Sequence, residues 1–262
     1  MDIYLLQSIH NDVIIITQRK WKDIASIIYM GYLMKKMCKN NLTKEELAAM
    51  IDISAVQTVS DRYVVDEVVK AAKEHKFICA FAMPNLTAYL KNELKGSGVR
   101  IGGTIGFPSG ADSMNIKVRT AKELAEIGCD ELDMVIAVNL LKSGMYDNVL
   151  EEIRRVRDIA GNRIFKTILE VNYLTDDEIK KACELAVLGG VDFVKSATGW
   201  SGATKVEQIR IMKSVVGNDA KVKAAGGIGT LETIYEMMDA GCERFGISCR
   251  SAEKIMKEFE NK

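Results

Sequence analysis

Proline is almost absent from this chain, two residues in 262. That scarcity leaves no room for long proline-rich linkers, so a folded globular protein is expected. Histidine is just as rare, with two residues, and the six cysteines (Cys38, Cys79, Cys129, Cys183, Cys242 and Cys249) are scattered without a C-x-x-C pair. Neither a zinc site nor a disulfide framework fits that pattern, and reduced thiols in a cytoplasmic protein do. An excess of either charge is also missing, because 36 lysines and arginines balance 36 aspartates and glutamates. Without a field over the whole molecule there is nothing to attract nucleic acid or an acidic membrane surface, which leaves a small-molecule partner. Long apolar runs are lacking too: "VIIIT" at 13–17 and the uncharged stretch at 24–34 are the longest near the start. Both are far shorter than the ~20 residues of a spanning helix, and no basic stretch precedes the first, so neither a membrane span nor a signal peptide is expected.

What is present is a regular alternation. From residue 42 onward, short apolar runs are followed by glycine or polar punctuation and then by amphipathic stretches. The strand candidates are "MIDIS" (50–54), "FICAFAM" (77–83), "VRIGGTI" (99–105), "ELDMVIA" (131–137), "IFKTILEV" (164–171), "DFVKS" (192–196), "KVKAA" (221–225) and "RFGIS" (244–248). Helices are expected between them, for example over 43–50, 175–188 and 204–216, each opened by a capping-box pattern: "TKEE", "TDDE" and "TKVE". Eight strand–helix alternations, with no GxGxxG after the first strand, predict a (β/α)8 barrel over 42–262 rather than a doubly wound sheet. Residues 1–41 are expected to form an N-terminal helical or partly ordered extension.

In a barrel, chemistry sits at the C-terminal ends of the strands. Lys195 lies on the sixth strand candidate, on the same side as Phe193, and Lys223 lies on the seventh. Neighbouring strands are ~4.8 Å apart, so two amines near the same ends interact, and like charges at that range depress at least one pKa. A neutral amine is what an imine-forming nucleophile requires. Either lysine alone would be read as snorkelling from the rim into solvent; two in parallel contexts point to function. Asp133, on the fourth candidate, would be buried beside them, whereas Asp130 and Glu131 suit a solvent-facing strand start. Lys166 and Glu170 alternate along the fifth candidate and fit an internal salt bridge as well as they fit catalysis.

"AAGGIGT" (224–230) and "FGISCRS" (245–251) follow the seventh and eighth candidates. Barrels bind phosphate in those two loops, through glycine-exposed N–H groups and a helix N-terminus, with serine hydroxyls adding donors. With Arg250 close to the second loop, a phosphorylated substrate is expected.

Taken together, "GFPSGA", "DELDMVIAVNLLKSG", "FKTILEVNYLT", "ACELA", "DFVKSATG", "VKAAGGIGT" and "RFGIS", in this order and spacing, resemble the deoxyribose-phosphate aldolases, class I aldolases on a TIM barrel. The similarity runs from about Leu42 to Ser248. It implies reversible cleavage of 2-deoxyribose 5-phosphate to glyceraldehyde 3-phosphate and acetaldehyde, without metal or organic cofactor, by a cytoplasmic homodimer of deoxyribonucleotide catabolism. On the matching motifs it implies Lys195 as the Schiff-base lysine, Lys223 as its partner and Asp133 as a proton-relay aspartate. It also implies Asp52, Thr198, Gly199, Gly226, Gly227, Gly246 and Ser248 as substrate- and phosphate-binding positions.

The sequence departs from the family pattern at Ser54 (for threonine), Gln57 (for lysine), Phe81 (where cysteine is common) and Cys249 (for serine or threonine). These changes spare the lysines but touch the shell that faces the substrate. Two other readings therefore stand beside the first: a Schiff-base aldolase for a different phosphorylated aldol, and a barrel that binds a sugar phosphate without catalysis. The second has no use for a neutral amine.

Overall fold

The computed structural model describes residues 42–262, together with the backbone of two further strands, β1 (Ile3–Gln7) and β2 (Val13–Thr17). These two pair antiparallel, with Ile3 opposite Thr17. At these two stretches the expected helical extension is corrected. "VIIIT" is an unbroken β-branched run, whose restricted χ1 disfavours a helix and suits a pleated strand. The remainder of that expectation falls outside the described residues.

Lys44–Lys262 forms one compact unit. Its eight parallel strands are β3 (Ile51–Ala55), β4 (Cys79–Ala82), β5 (Arg100–Ile105), β6 (Glu131–Val135), β7 (Ile164–Ile168), β8 (Phe193–Lys195), β9 (Lys221–Ala225) and β10 (Arg244–Ser248). They pair in chain order, and β10 returns to β3 with Phe245 opposite Ile51, closing the barrel. All eight lie on the sequence candidates, most of them trimmed by one to three residues at an end. The helices, in chain order, are α1 (Lys44–Ala48), α2 (Arg62–His75), α3 (Pro84–Glu93), α4 (Met114–Ile127), α5 (Val138–Lys142), α6 (Tyr146–Ala160), α7 (Asp176–Leu188), α8 (Val206–Val216), α9 (Leu231–Asp239) and α10 (Cys249–Glu260). None of the described helices is long and apolar enough to cross a membrane.

Local chemistry explains most of the boundaries. Thr175 closes a capping box at α7: its hydroxyl accepts from the Glu178 N–H while the Glu178 side chain accepts from the Thr175 N–H. Gly128 ends α4 in the left-handed region at φ 88°. Thr204, expected to cap α8, does otherwise. Its hydroxyl donates 2.6 Å to the Ala225 carbonyl at the end of β9, and the helix begins at Val206, with Gln208 accepting from the Lys205 N–H. A buried carbonyl at the barrel mouth outcompetes an exposed cap, because leaving it unpaired costs more.

Strand alternation then decides what meets inside the barrel. Ile51, Ile53, Leu132, Val194, Val222 and Phe245 are buried towards the helices. The opposite face of the barrel strands carries Asp52, Glu131, Asp133, Lys166, Lys195, Lys223 and Arg244, all of them buried. The interior of the barrel is therefore ionic where an apolar filling would be the default.

Candidate active site

Lys195 and Lys223 are direct cross-strand partners on β8 and β9. In the same way Lys166 on β7 pairs with Asp133 on β6, and Asp133 with Thr104 on β5. These four strands place three amines and one carboxylate at one level. Asp133 Oδ2 accepts from Lys195 Nζ at 3.0 Å and from Lys223 Nζ at 2.8 Å, and its Oδ1 accepts from Lys166 Nζ at 2.8 Å. Neither catalytic candidate reaches the rim, since Lys195 is 7% exposed and Lys223 1%.

Below this level lies a second set that the sequence reading placed elsewhere. Glu131, expected to face solvent, is fully buried, and it accepts from both Lys166 Nζ and Arg244 Nη2, the latter at 2.8 and 3.0 Å. Arg100, half exposed, adds a contact to Glu131 at 3.1 Å. Asp52 accepts from Arg244 Nε at 2.6 Å and from Lys223 Nζ. Lys166 is therefore a member of this network and not the partner of Glu170. The Glu170 carboxylate instead accepts from the Thr198 N–H at 3.1 Å and from the Ser201 hydroxyl, with its own backbone at φ 56°. It thereby ties the loop after β8 to the end of β7.

The charges of the fully buried network can be counted. Asp52, Glu131 and Asp133 contribute three negative charges, and Lys166, Lys223 and Arg244 contribute three positive ones. Lys195 is the surplus cation, so the network is neutral only when Lys195 is an amine. Burial, then the neighbouring Lys223, push its pKa down to about 8, against the opposing pull of Asp133. For Lys166 the balance reverses: burial is again the largest single effect and opposes its charge, but Asp133, Asp52 and Glu131 together hold its pKa above the ordinary lysine value. Burial works against the Asp133 carboxylate, but Lys166 and Lys223, with a smaller pull from Lys195, outweigh it and hold its pKa well below the usual carboxylate range.

Phe81 on β4 roofs this network, with its ring centroid 4.6 Å from Lys223 Nζ and 5.8 Å from Lys195 Nζ. The ring fits because residue 102 is glycine, where a Cβ would come within 2.2 Å of it. Asp52, Cys79 and Glu131 place ligand-type atoms within 4.8 Å of one another. Both carboxylates are committed to cations, and burial holds the Cys79 thiol well above its ordinary pKa, so the trio belongs to the ion network and has no donor to spare for a metal.

A pocket opens above Lys195 at the C-terminal mouth of the barrel, lined by Asp52, Ser54, Val56, Phe81, Thr104, Phe107, Lys195, Thr198, Lys223, Ala225 and Gly246. Phe107 and Trp200 meet edge to face at its rim, and the Trp200 indole donates 3.1 Å to the Val56 carbonyl. The loop carrying Thr198 and Gly199 packs on the loop carrying Gly226 and Gly227. Both later glycines have positive φ, 95° and 74°, and a Cβ on Gly227 would lie 2.3 Å from that of Ala203. Gly246 lies within β10, inside the "RFGIS" candidate, and a Cβ there would press on Lys223 Cε at 3.3 Å. Ser248 stands at the N-terminal end of α10, its hydroxyl 3.2 Å from that of Ser251.

The lysine pair on the sixth and seventh barrel strands, the shared aspartate and the glycine loops invite comparison with known aldolases. A family model described as "DeoC/LacD family aldolase" matches residues 30–249. This chain belongs to the DeoC/LacD aldolase family. Among curated members, the deoxyribose-phosphate aldolase of Rhizobium meliloti (strain 1021) is 40% identical over 220 residues, covering 83% of this chain and 89% of that one. That of Caldicellulosiruptor saccharolyticus is 39% identical over 211 residues, covering 79% and 96%. The tetrameric deoxyribose phosphate aldolase from Aeropyrum pernix superposes with a TM-score of 0.77 at 26% identity, over 83% of this chain and 92% of that one. Membership of the DeoC/LacD family makes the protein an aldolase.

Proposed function

We propose that the protein cleaves 2-deoxy-D-ribose 5-phosphate reversibly to D-glyceraldehyde 3-phosphate and acetaldehyde, with Lys195 as a Schiff-base nucleophile. The observation that carries this reading is the juxtaposition of Lys195 and Lys223 on one carboxylate oxygen, inside a network that is electrically balanced only with Lys195 neutral. At pH 7 the free amine is well under a thousandth of an ordinary lysine and about a tenth of one near pKa 8.

The steps follow from the positions. The Lys195 nitrogen attacks the C1 aldehyde of the open-chain sugar, an N–C bond forms, and the carbinolamine loses its hydroxyl as water. Lys223, as ammonium, supplies the proton that this water carries away. The resulting protonated imine is an electron sink. The C3 hydroxyl gives up its proton to the network, the C2–C3 pair flows towards the iminium nitrogen, and glyceraldehyde 3-phosphate departs. The enamine left on Lys195 takes a proton at C2, and water releases acetaldehyde. Asp133 holds both amines, and its depressed pKa means that any proton it accepts is passed on within the same step.

The phosphate is proposed to sit over Gly226 and Gly227 and the N-terminus of α10 at Ser248, with Thr198 and Gly199 on the facing loop and Asp52 and Gly246 beneath the sugar. Exposed backbone N–H groups and the helix end favour an anion there. A homodimer working in the cytoplasm completes the proposal; light scattering in solution addresses the first part.

The decisive test is incubation with 2-deoxyribose 5-phosphate and borohydride, followed by peptide mass spectrometry. A reduced adduct on Lys195 is expected; an adduct elsewhere, or none from folded protein with acetaldehyde also tried, refutes the assignment. Phe81, roofing the lysines, favours one second reading, an aldolase with a different phosphorylated aldol, and cleavage rates over a panel of sugar phosphates separate the two.

A further inference from the structure

Three side chains lining the pocket carry hydroxyls, and two of them are engaged. Ser54 Oγ donates to the Ile247 carbonyl at 3.4 Å, and Thr198 Oγ1 accepts from the Trp200 N–H at 3.1 Å. Thr104 is 2% exposed, and its Oγ1 has no hydrogen-bond partner. A buried hydroxyl left unpaired is destabilising, and valine would fill the same volume without that cost. A group of this kind inside a ligand pocket is the mark of a contact completed by the ligand.

Its place in the barrel says which part of the ligand. Thr104 is the direct cross-strand partner of Asp133, whose Oδ2 holds the Lys195 amine, so Thr104 faces the pocket floor at the level of the reacting carbons. The phosphate loops lie above it at the mouth. Every charged group at the floor is committed to ion pairs, which leaves Thr104 as the neutral group free to donate and accept there.

On the reading of Lys195 as the imine-forming residue, we infer that the Thr104 hydroxyl is a specificity-determining contact, hydrogen-bonding the aldol hydroxyl on the carbon that becomes the released aldehyde. It moves no proton of its own. It orients that hydroxyl so that its proton leaves towards the lysine–aspartate network, and it disfavours ligands that lack a hydroxyl at this point, since they leave Thr104 unpaired.

The test compares wild type, Thr104→Val and Thr104→Ser on two ligands. Deoxyribose 5-phosphate has the aldol hydroxyl; acetaldehyde, which forms the same imine, lacks it. Thr104→Val should lower kcat/KM for deoxyribose 5-phosphate cleavage by about tenfold or more. It should leave borohydride trapping of acetaldehyde on Lys195 within about twofold of wild type and the melting temperature equal or higher. Thr104→Ser should recover most of the cleavage. Cleavage by Thr104→Val within about twofold of wild type overturns the inference, as does a parallel loss of acetaldehyde trapping, which would mean a damaged pocket. If wild type itself does not cleave deoxyribose 5-phosphate, the proposed reaction fails, and that outcome is distinct from an active wild type matched by an equally active valine variant.

Discussion

Replacing Lys223 by methionine removes a charge while keeping an unbranched side chain in the same slot. The two amines share Asp133 Oδ2 at 3.0 and 2.8 Å, so they lie within about 6 Å of each other. At an effective dielectric of about 20, two unit charges at that separation repel by ~3 kcal/mol, equivalent to roughly two units of pKa. The charge count points the same way, because without Lys223 the network holds three carboxylates against two cations and recruits Lys195 as the third. Its pKa should climb from about 8 back towards the ordinary lysine value. At pH 7 the neutral fraction then falls from about a tenth by roughly a hundredfold. The assay is the rate of borohydride trapping of acetaldehyde on Lys195 between pH 6 and 10, with Lys223→Arg as the charge-preserving control. Wild type should reach half its plateau near pH 8, the arginine variant close to it, and the methionine variant at a distinctly higher pH. A methionine variant whose midpoint stays within about half a unit of wild type would refute the account of how Lys195 is kept neutral.

Other perturbations have calculable signs. Asp133→Asn leaves a surplus positive charge, so the trapping midpoint should move below that of wild type while deoxyribose 5-phosphate turnover falls by about a hundredfold for want of a proton acceptor; pH–rate profiles read both. Lys195→Met should abolish cleavage yet stabilise the fold. A lysine whose folded pKa is lowered to about 8 costs stability at every pH below that value, and the cost fades as pH rises towards the unfolded value near 10.4. Urea titration should show a gain of about 3 kcal/mol at pH 7 that shrinks towards zero by about pH 10. Gly102→Ala drives a methyl to within 2.2 Å of the Phe81 ring and should cost about 1–3 kcal/mol by the same titration, with Phe81→Ala in the double variant recovering most of it.

The sequence pattern revealed the chemistry better than it revealed what surrounds it. Lys195, Lys223 and Asp133 stand out because strand alternation assigns each an inward face at a position where solvent is out of reach. Glu131 and Arg244 follow the same alternation, two residues before Asp133 and Gly246, but Glu131, first in its strand, reads as a solvated end, and Arg244 carries no signal of its own. What brings them together is the closure of the barrel, which sets β10 beside β3, a contact between distant parts of the chain, and lets Arg244 reach Glu131 at 2.8 Å. Thr104 carried a weaker signal, a hydroxyl at an inward position of "RIGGTI", and only the missing partner singles it out. Local capping rules place Thr204 at the start of α8, and there the demand of a buried carbonyl at the barrel mouth prevails.

The distances along the chain that the ion network spans bear on how this protein comes into being. Asp52, on the first strand of the barrel, finds its cations at Lys223 and Arg244, 171 and 192 residues later. While the chain is still being synthesised, its first barrel strand carries a carboxylate that lacks two of its three counter-ions, Lys166 at 3.7 Å being the one that arrives earlier. A nascent chain ending before β9 can form helices and parallel βα units but cannot close the barrel around its ionic interior. The last two strands thus act as a completion signal: the barrel dries and locks only when its C-terminal end arrives.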